Sequence, residues 1–230
     1  MQRFQHVKQQ WQTVKLGYRF MQIVKAPYGD FAEIGRLAQE IHDPKSLQKV
    51  VEFLSQTSQG QQALQERPRL GSVDLQKLHQ LPAHTLGYIY ADHMLKNSFS
   101  PPNSQQIADN PYTFLGAHLG ETHDIWHIVT GFDTNKAGEI ALQAFYIAQI
   151  YPSQFWIVML CKNLLKTALE DLDLCSQHMD ALVTGWLLGK QARPLFGIDW
   201  KTLWELPLTT IQSELNLQNK QFDRLASLSG

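Results

Sequence analysis

No stretch of this 230-residue chain alternates apolar and polar residues as a half-buried strand would. Nearly every patterned segment repeats with a helical period instead, so the expected fold is all-α and compact. "GDFAEIGRLAQEIHD" starts from a capping Asp30. "DPKSLQKVVEFLSQTSQG" has a proline near its start and is expected to end on Gly60. "LPAHTLGYIYADHMLKNS" leads into the loop "SFSPPNSQQIADNP". A helix from Tyr112 to Thr130 should stop at Gly131 as a left-handed cap, and the next, capped by Asp133 or Thr134, should reach about Tyr151. Further helices are expected over 155–175, 178–191 and 200–216. The expected organisation is one structural domain with a looser N-terminal helical region at 1–75, a core at 76–218 and a tail at 219–230.

Composition narrows the function classes. A net charge of −1 supplies no basic field for nucleic acid. Two cysteines, Cys161 and Cys175, make no disulfide framework, which points to an intracellular setting. They read as buried, inert thiols. No apolar run is long enough to span a membrane, and the start lacks the apolar core of a secretory signal. Residues 1–29 carry Arg3, Lys8, Lys15, Arg19 and Lys25 with no acid before Asp30, interleaved with apolar residues. That pattern fits a basic amphipathic helix on an anionic membrane surface, or a plain surface helix docked on the core.

The densest chemistry lies in "ETHDIWHIVTGFDTNKAGEIALQAF", residues 121–145. His123 and His127, four apart, share one helix face and can reach one ion. Asp124 lies beside them. Glu139 faces them from the returning helix: at roughly 1.5 Å rise per residue, His127 sits about 6 Å from the turn and Glu139 about 7.5 Å. Two imidazoles and two carboxylates suit zinc, iron or another divalent ion. A buried charge network without metal, and a closed structural zinc site, are the competing readings. Gly116 and Gly120 lie on the preceding turns of the His123 face and leave room for a ligand or for close helix packing. Phe114, Leu119 and Trp126 are candidate lining for an apolar ligand, or ordinary core.

Two metal chemistries can be weighed. A helical zinc protease needs Glu after the first histidine, and Asp124 is one methylene too short. The His123–Asp124 dyad also fits an HD-type phosphohydrolase, which needs a further histidine (His84, His93 or His118) and a further aspartate (Asp133 or Asp173). Cys175 and His178 have a ligand-like spacing with no partner nearby in sequence. His42–Asp43 reads as a helix C-terminus. Trp186, Trp200 and Trp204 read as core or amphipathic anchors.

The spacing H-D-x-x-H, eleven residues, E, filled by His123, Asp124, His127 and Glu139, resembles the signature of the ubiquinone (coenzyme Q) biosynthesis family called Coq-four. "LPAHTLGYIYADHML" followed by "SPP", "GEIALQAFYIAQIYP" and "WELPLTTIQSEL" resemble further stretches of that family, so the likeness covers about residues 80–218. Residues 1–75 match less readily. Gly120 stands where the family has an arginine, Arg193 is followed by Pro194, and Ile211-Gln212 stands in place of Leu-Arg. These departures bear on contacts to an anionic substrate.

The resemblance implies an all-helical protein with a divalent metal, usually zinc, iron remaining open, and a peripheral membrane location. It implies binding of a polyprenylated quinone precursor or other isoprenoid lipid, and association with other quinone-biosynthesis enzymes. The chemistry it implies is removal of the ring C1 carboxylate and its replacement by hydroxyl. Glu139 is then a candidate proton acceptor. A homodimer is expected. A non-catalytic lipid-binding scaffold is the alternative role.

Overall fold

The computed structural model describes residues 14, 17–18, 20–25, 36–37, 44–102 and 107–218. The described residues are helical, with no strand among them. In chain order the helices are α1 (Pro44–Leu54), α2 (Ser58–Glu66), α3 (Leu75–Leu78), α4 (Leu86–Lys96), α5 (Pro111–Thr130), α6 (Lys136–Ile150), α7 (Gln154–Glu170), α8 (Cys175–Gln191) and α9 (Leu208–Glu214). Short 3-10 turns occupy Leu172–Leu174 and Trp200–Leu203. The expected caps at Asp30 and His42–Asp43, and most of the basic segment 1–29, lie outside the described residues.

Local chemistry accounts for the element boundaries. The Asn110 side chain accepts from the N–H groups of Tyr112 and Thr113, and Thr113 Oγ1 accepts from Asn110 N–H. This reciprocal box, with Pro111 in the first turn, starts α5. Gly131, at φ 74°, ends it in the left-handed region, as the sequence predicts. The cap of α6 is Asn135 rather than Asp133 or Thr134: its side chain accepts Gly138 N–H at 3.0 Å. Asp133 instead binds Thr134 N–H and the Asn135 side chain, so the turn spends two more residues before the helix begins.

Gly60 does not end a helix. It sits inside α2, where a Cβ would meet Leu54 O at 1.9 Å. The glycine lets α2 turn back across the end of α1, and Thr57 caps the new helix. The helix expected to run to residue 216 is broken at Glu205–Pro207, and that break is used. Leu86 and Gly87 N–H donate to Leu206 O and Trp204 O, and Leu208 N–H donates to His84 O, all at 2.9 Å. The C-terminal segment thus satisfies the free donors at the start of α4.

The central packing is α6 against α8. A Cβ on Gly185 would meet Ala141 O at 1.9 Å, and one on Gly189 would meet Ala148 Cβ at 2.7 Å, so the two backbones touch. One core joins α1, α2, α4, α5, α6 and α8 through Val50, Leu64, Tyr90, Ile125, Phe145 and Leu188. A smaller cluster packs Ile23 and Leu37 against Met159 of α7.

Cys161 and Cys175 are exposed free thiols, not buried ones. Cys161 lies on the outer face of α7 and Cys175 opens α8. His178 points inward, its Nδ1 2.7 Å from Thr167 Oγ1, so the Cys175–His178 pair does not converge. Trp200 is buried and Trp204 packs against the core, whereas Trp186 is exposed.

His118 is a buried histidine held neutral. Its Nδ1–H donates to Pro68 O, and its Nε2 accepts from Gly197 N–H at 3.1 Å. Burial lowers its pKa from 6.5 to about 4. Between those values the unfolded chain binds the proton and the folded chain does not, so acid favours unfolding. We expect His118 to contribute a loss of about 3 kcal/mol as pH falls from 6.5 towards 4. Urea titrations of wild type and His118→Gln across that range measure it as the difference in pH slope.

Candidate metal centre

The α5–α6 hairpin brings His123, His127 and Glu139 together, with one ligand atom of each within 4.8 Å of the others. His127 Nε2 lies 3.3 Å and His123 Nε2 3.7 Å from the same oxygen, Glu139 Oε1. The imidazole rings meet edge to face at 4.8 Å. His127 is buried, while His123 and Glu139 keep side-chain exposures of 28% and 22%. The cluster is walled on one side and open on the other.

Each histidine is aimed by a second contact. His127 Nδ1 lies 3.0 Å from Phe132 O in the turn after Gly131. A carbonyl oxygen only accepts, so Nδ1 carries a proton, and in the neutral ring Nε2 offers a lone pair to a carboxylate oxygen. Two acceptors 3.3 Å apart require a cation between them, either a proton or a metal ion. His123 Nδ1 lies 3.4 Å from Tyr146 Oη. The Tyr146 ring is stacked between Trp126 and Trp156, at 4.5 Å and 4.4 Å between centroids.

The electrostatics agree. Burial opposes ionisation of Glu139, but hydrogen bonds from both histidines and their charges outweigh it and hold the carboxyl well below its usual range. Burial likewise opposes protonation of His123, and Glu139 outweighs it, raising the pKa. The carboxylate stays charged and the pocket favours positive charge.

The donor set fits a divalent ion. Two ligand atoms each about 2.1 Å from zinc at a tetrahedral angle lie about 3.4 Å apart, close to the separations here. An imidazole whose other nitrogen donates to a backbone carbonyl is the usual outer arrangement of such a ligand.

Asp124 is not in the three-residue group. Its charge acts on Tyr90 and His93 of α4 and on Tyr146. Gly116 and Gly120 lie on the exposed face of α5, eight and four residues before Asp124, and a Cβ on Gly116 would meet nothing within 4 Å. Phe114 and Trp126 are fully buried and Leu119 nearly so. His84, His93, His118, Asp133 and Asp173 do not join the metal-ligating group.

The structure adds residues that the sequence reading passed over. Tyr146 is seven positions after Glu139, two helical turns along the same face, and that spacing is its signal. Glu121, fully buried, is bound by Arg69 through Nε at 3.0 and 3.1 Å and through Nη2, and it accepts from Leu70 N–H at 2.9 Å. The arginine absent at position 120 is thus not needed to pair Glu121, because Arg69 enters from the segment between α2 and α3. No local spacing announces a partner fifty-two residues away.

Among the described residues no helix is long and apolar enough to cross a membrane. The family model for coenzyme Q (ubiquinone) biosynthesis protein Coq4 matches residues 4–221, so the likeness extends through the N-terminal region that the motifs left unmatched. A mitochondrial ubiquinone biosynthesis protein COQ4 homolog of Anopheles gambiae is 28% identical over 180 residues, covering 76% of this chain and 62% of its own length. The homolog of Danio rerio is 28% identical over 191 residues, covering 80% and 69%. The chain thus spans roughly three-fifths to two-thirds of the length of these curated relatives. A crystal structure of a candidate ubiquinone biosynthesis protein from Nostoc punctiforme superposes with a TM-score of 0.79 at 24% identity, covering 90% of this chain and 99% of that one, and shares the fold. Motif, match and architecture agree: the chain belongs to the Coq4 family of coenzyme Q (ubiquinone) biosynthesis proteins.

Proposed function

We propose that this protein acts in ubiquinone-type biosynthesis by holding a prenylated hydroxybenzoate at a divalent ion bound to His123, His127 and Glu139. The observation that carries this reading is His127 Nε2 facing Glu139 Oε1 at 3.3 Å while Phe132 O engages the Nδ1 of the same ring. The ion, zinc or iron, would supply a positive charge that stabilises negative charge on ring oxygens. The overall change would be loss of the ring carboxylate as carbon dioxide and its replacement by hydroxyl, with dioxygen as oxidant and an external two-electron donor.

The chain's own groups have defined tasks. Phe132 O and Tyr146 fix the two imidazoles. Glu139, charged and partly exposed, is placed to take a proton from a substrate hydroxyl on the open side. The exposed glycine face at Gly116 and Gly120 gives an isoprenoid tail a smooth path along α5 towards Asp124. Peripheral contact with a membrane surface would deliver such a tail, and association with other quinone-biosynthesis enzymes would pass the product on.

The test offers zinc-loaded and iron-loaded protein 3-geranyl-4-hydroxybenzoate with air and ascorbate. The expected product is lighter than the substrate by the mass of carbon monoxide, and the His123→Ala/His127→Ala variant should neither bind nor convert. Metal-dependent binding without conversion would assign a lipid-presenting scaffold instead. Binding unaffected by the double substitution would remove the site from the function.

A further inference from the structure

The N-terminal segment takes no part in the centre described above. Its described residues 14, 17–18 and 20–25 are helical, and one face of them is docked on α7. Ile23 and Val24 are each 2% exposed. Ile23 clusters with Leu37 and Met159, and Phe20, Phe155 and Val158 pack against that cluster. Lys166 Nζ of α7 donates to Val24 O at 2.9 Å, so a buried ammonium holds a backbone carbonyl of the segment. Packing and a charge-assisted hydrogen bond together fix the segment in place.

The other face is bare. Val14, Tyr18 and Met21 are 63%, 62% and 41% exposed. Their spacing puts them on one stripe of a helix, and exposed Lys25 continues it four residues on. Single exposed apolar residues are ordinary, whereas a stripe of them beside a docked face marks a contact surface. Charge indicates the partner. Residues 1–29 hold five of the chain's 20 Lys and Arg residues (Arg3, Lys8, Lys15, Arg19 and Lys25) and none of its 21 acids. Lys15 and Arg19 directly follow Val14 and Tyr18 in sequence. The rest of the chain therefore has more acids than cations, so an anionic surface attracts this segment and repels the remainder. A second copy presenting the same stripe would set one basic segment against another, which repels. An anionic bilayer fits both features: tyrosine rings favour the headgroup level, and lysine stems lie along apolar surface with the charge in water.

We propose that Val14, Tyr18 and Met21 bed into an anionic lipid bilayer and that Lys15, Arg19 and Lys25 hold them there. This deepens the proposed function and rests on it for the bilayer as the source of an isoprenoid ligand, while the surface itself uses none of the metal-ligating residues. Because Ile23 and Val24 are packed on the body of the protein, the stripe seats the whole fold on the lipid. From α7 the path to the site is short: Asn163 Nδ2 donates to Gln143 Oε1 of α6 at 3.0 Å, and α6 carries Glu139. Binding at the stripe thus sets the metal centre at a fixed place relative to the membrane.

The experiment measures, by co-sedimentation, the partition of the full-length protein onto phosphatidylcholine vesicles with and without phosphatidylglycerol at about one lipid in four. The wild type is expected to bind the anionic vesicles at least about 100-fold more tightly than the neutral ones, about 5-fold for each of three cations. That preference should fall as added salt screens the charges. Lys15→Gln/Arg19→Gln/Lys25→Gln should remove most of it. Val14→Ser/Tyr18→Ser/Met21→Ser should weaken binding to anionic vesicles by at least about 10-fold. These three side chains are exposed, so circular dichroism and thermal unfolding should stay at wild-type values. Wild-type protein that stays in solution with both vesicles would overturn the proposal, and so would binding that survives the serine substitutions. Retention on immobilised polyglutamate without vesicle binding would overturn it in favour of an acidic protein partner. In each of these cases, zinc-dependent binding of 3-geranyl-4-hydroxybenzoate in solution would leave the proposed function standing. Vesicle binding as expected with no zinc-dependent ligand binding would remove that function and keep the membrane surface.

Discussion

Arg69→Met is expected to destabilise the fold by about 3–5 kcal/mol, measured by urea unfolding of the metal-free protein. Glu121 is buried in the middle of α5 with 1% side-chain exposure. Its carboxylate is satisfied by the Arg69 guanidinium and Leu70 N–H. Removing the arginine leaves a buried charge with one backbone donor, and that loss is large because no water replaces the lost bonds. Against a typical stability of about 5–15 kcal/mol, it takes away a substantial part. The double variant Arg69→Met/Glu121→Met should recover most of the loss, since replacing both partners by apolar groups leaves no orphan. Loss of less than about 1 kcal/mol in the single variant, the range of an exposed pair, would show that the pair is not desolvated in solution. The same pair ties the segment before α3 to the helix that carries both histidines. Its loss should therefore also weaken metal binding.

Glu139→Gln is expected to abolish stoichiometric zinc binding, while Tyr146→Phe should weaken it by about 10–100-fold, as loss of an outer partner does. Competition with a chromogenic chelator reads both. The difference follows from position. Glu139 Oε1 is the point on which both Nε2 atoms converge, whereas Tyr146 touches only His123 Nδ1. The amide of glutamine keeps the shape but removes the negative charge that favours a cation between the imidazoles. Equal zinc affinity in Glu139→Gln and wild type would show that Glu139 is not a ligand.

The hairpin was legible before any coordinates. Gly131 and the i,i+4 histidines state the end of a helix and a shared face, because capping and helical period are local rules. The opposition of Glu139 followed from similar distances to the turn, and that held even though the cap moved to Asn135, because a shift of one or two residues changes the depth by only about 1.5–3 Å. Caps chosen among neighbouring Asp, Thr and Asn were less readable, since all three residue types can fill the role. Gly60 was misread for a related reason: in sequence a glycine that ends a helix looks like one that allows close approach.

The sequence by itself determined the helical class, the hairpin and the convergence of His123, His127 and Glu139, which could hold an ion, because each depends on spacing within about twenty residues, though not the standing of Asp124 outside that group. The tertiary structure alone decided what surrounds them. Arg69 reaches Glu121, residues 204–208 close the start of α4, and α8 lies against α6 through Gly185 and Gly189. These contacts join segments far apart in the chain, and their specificity comes from burial: a carboxylate, a hydroxyl or a glycine acquires its role only when packing removes water and leaves one partner in reach.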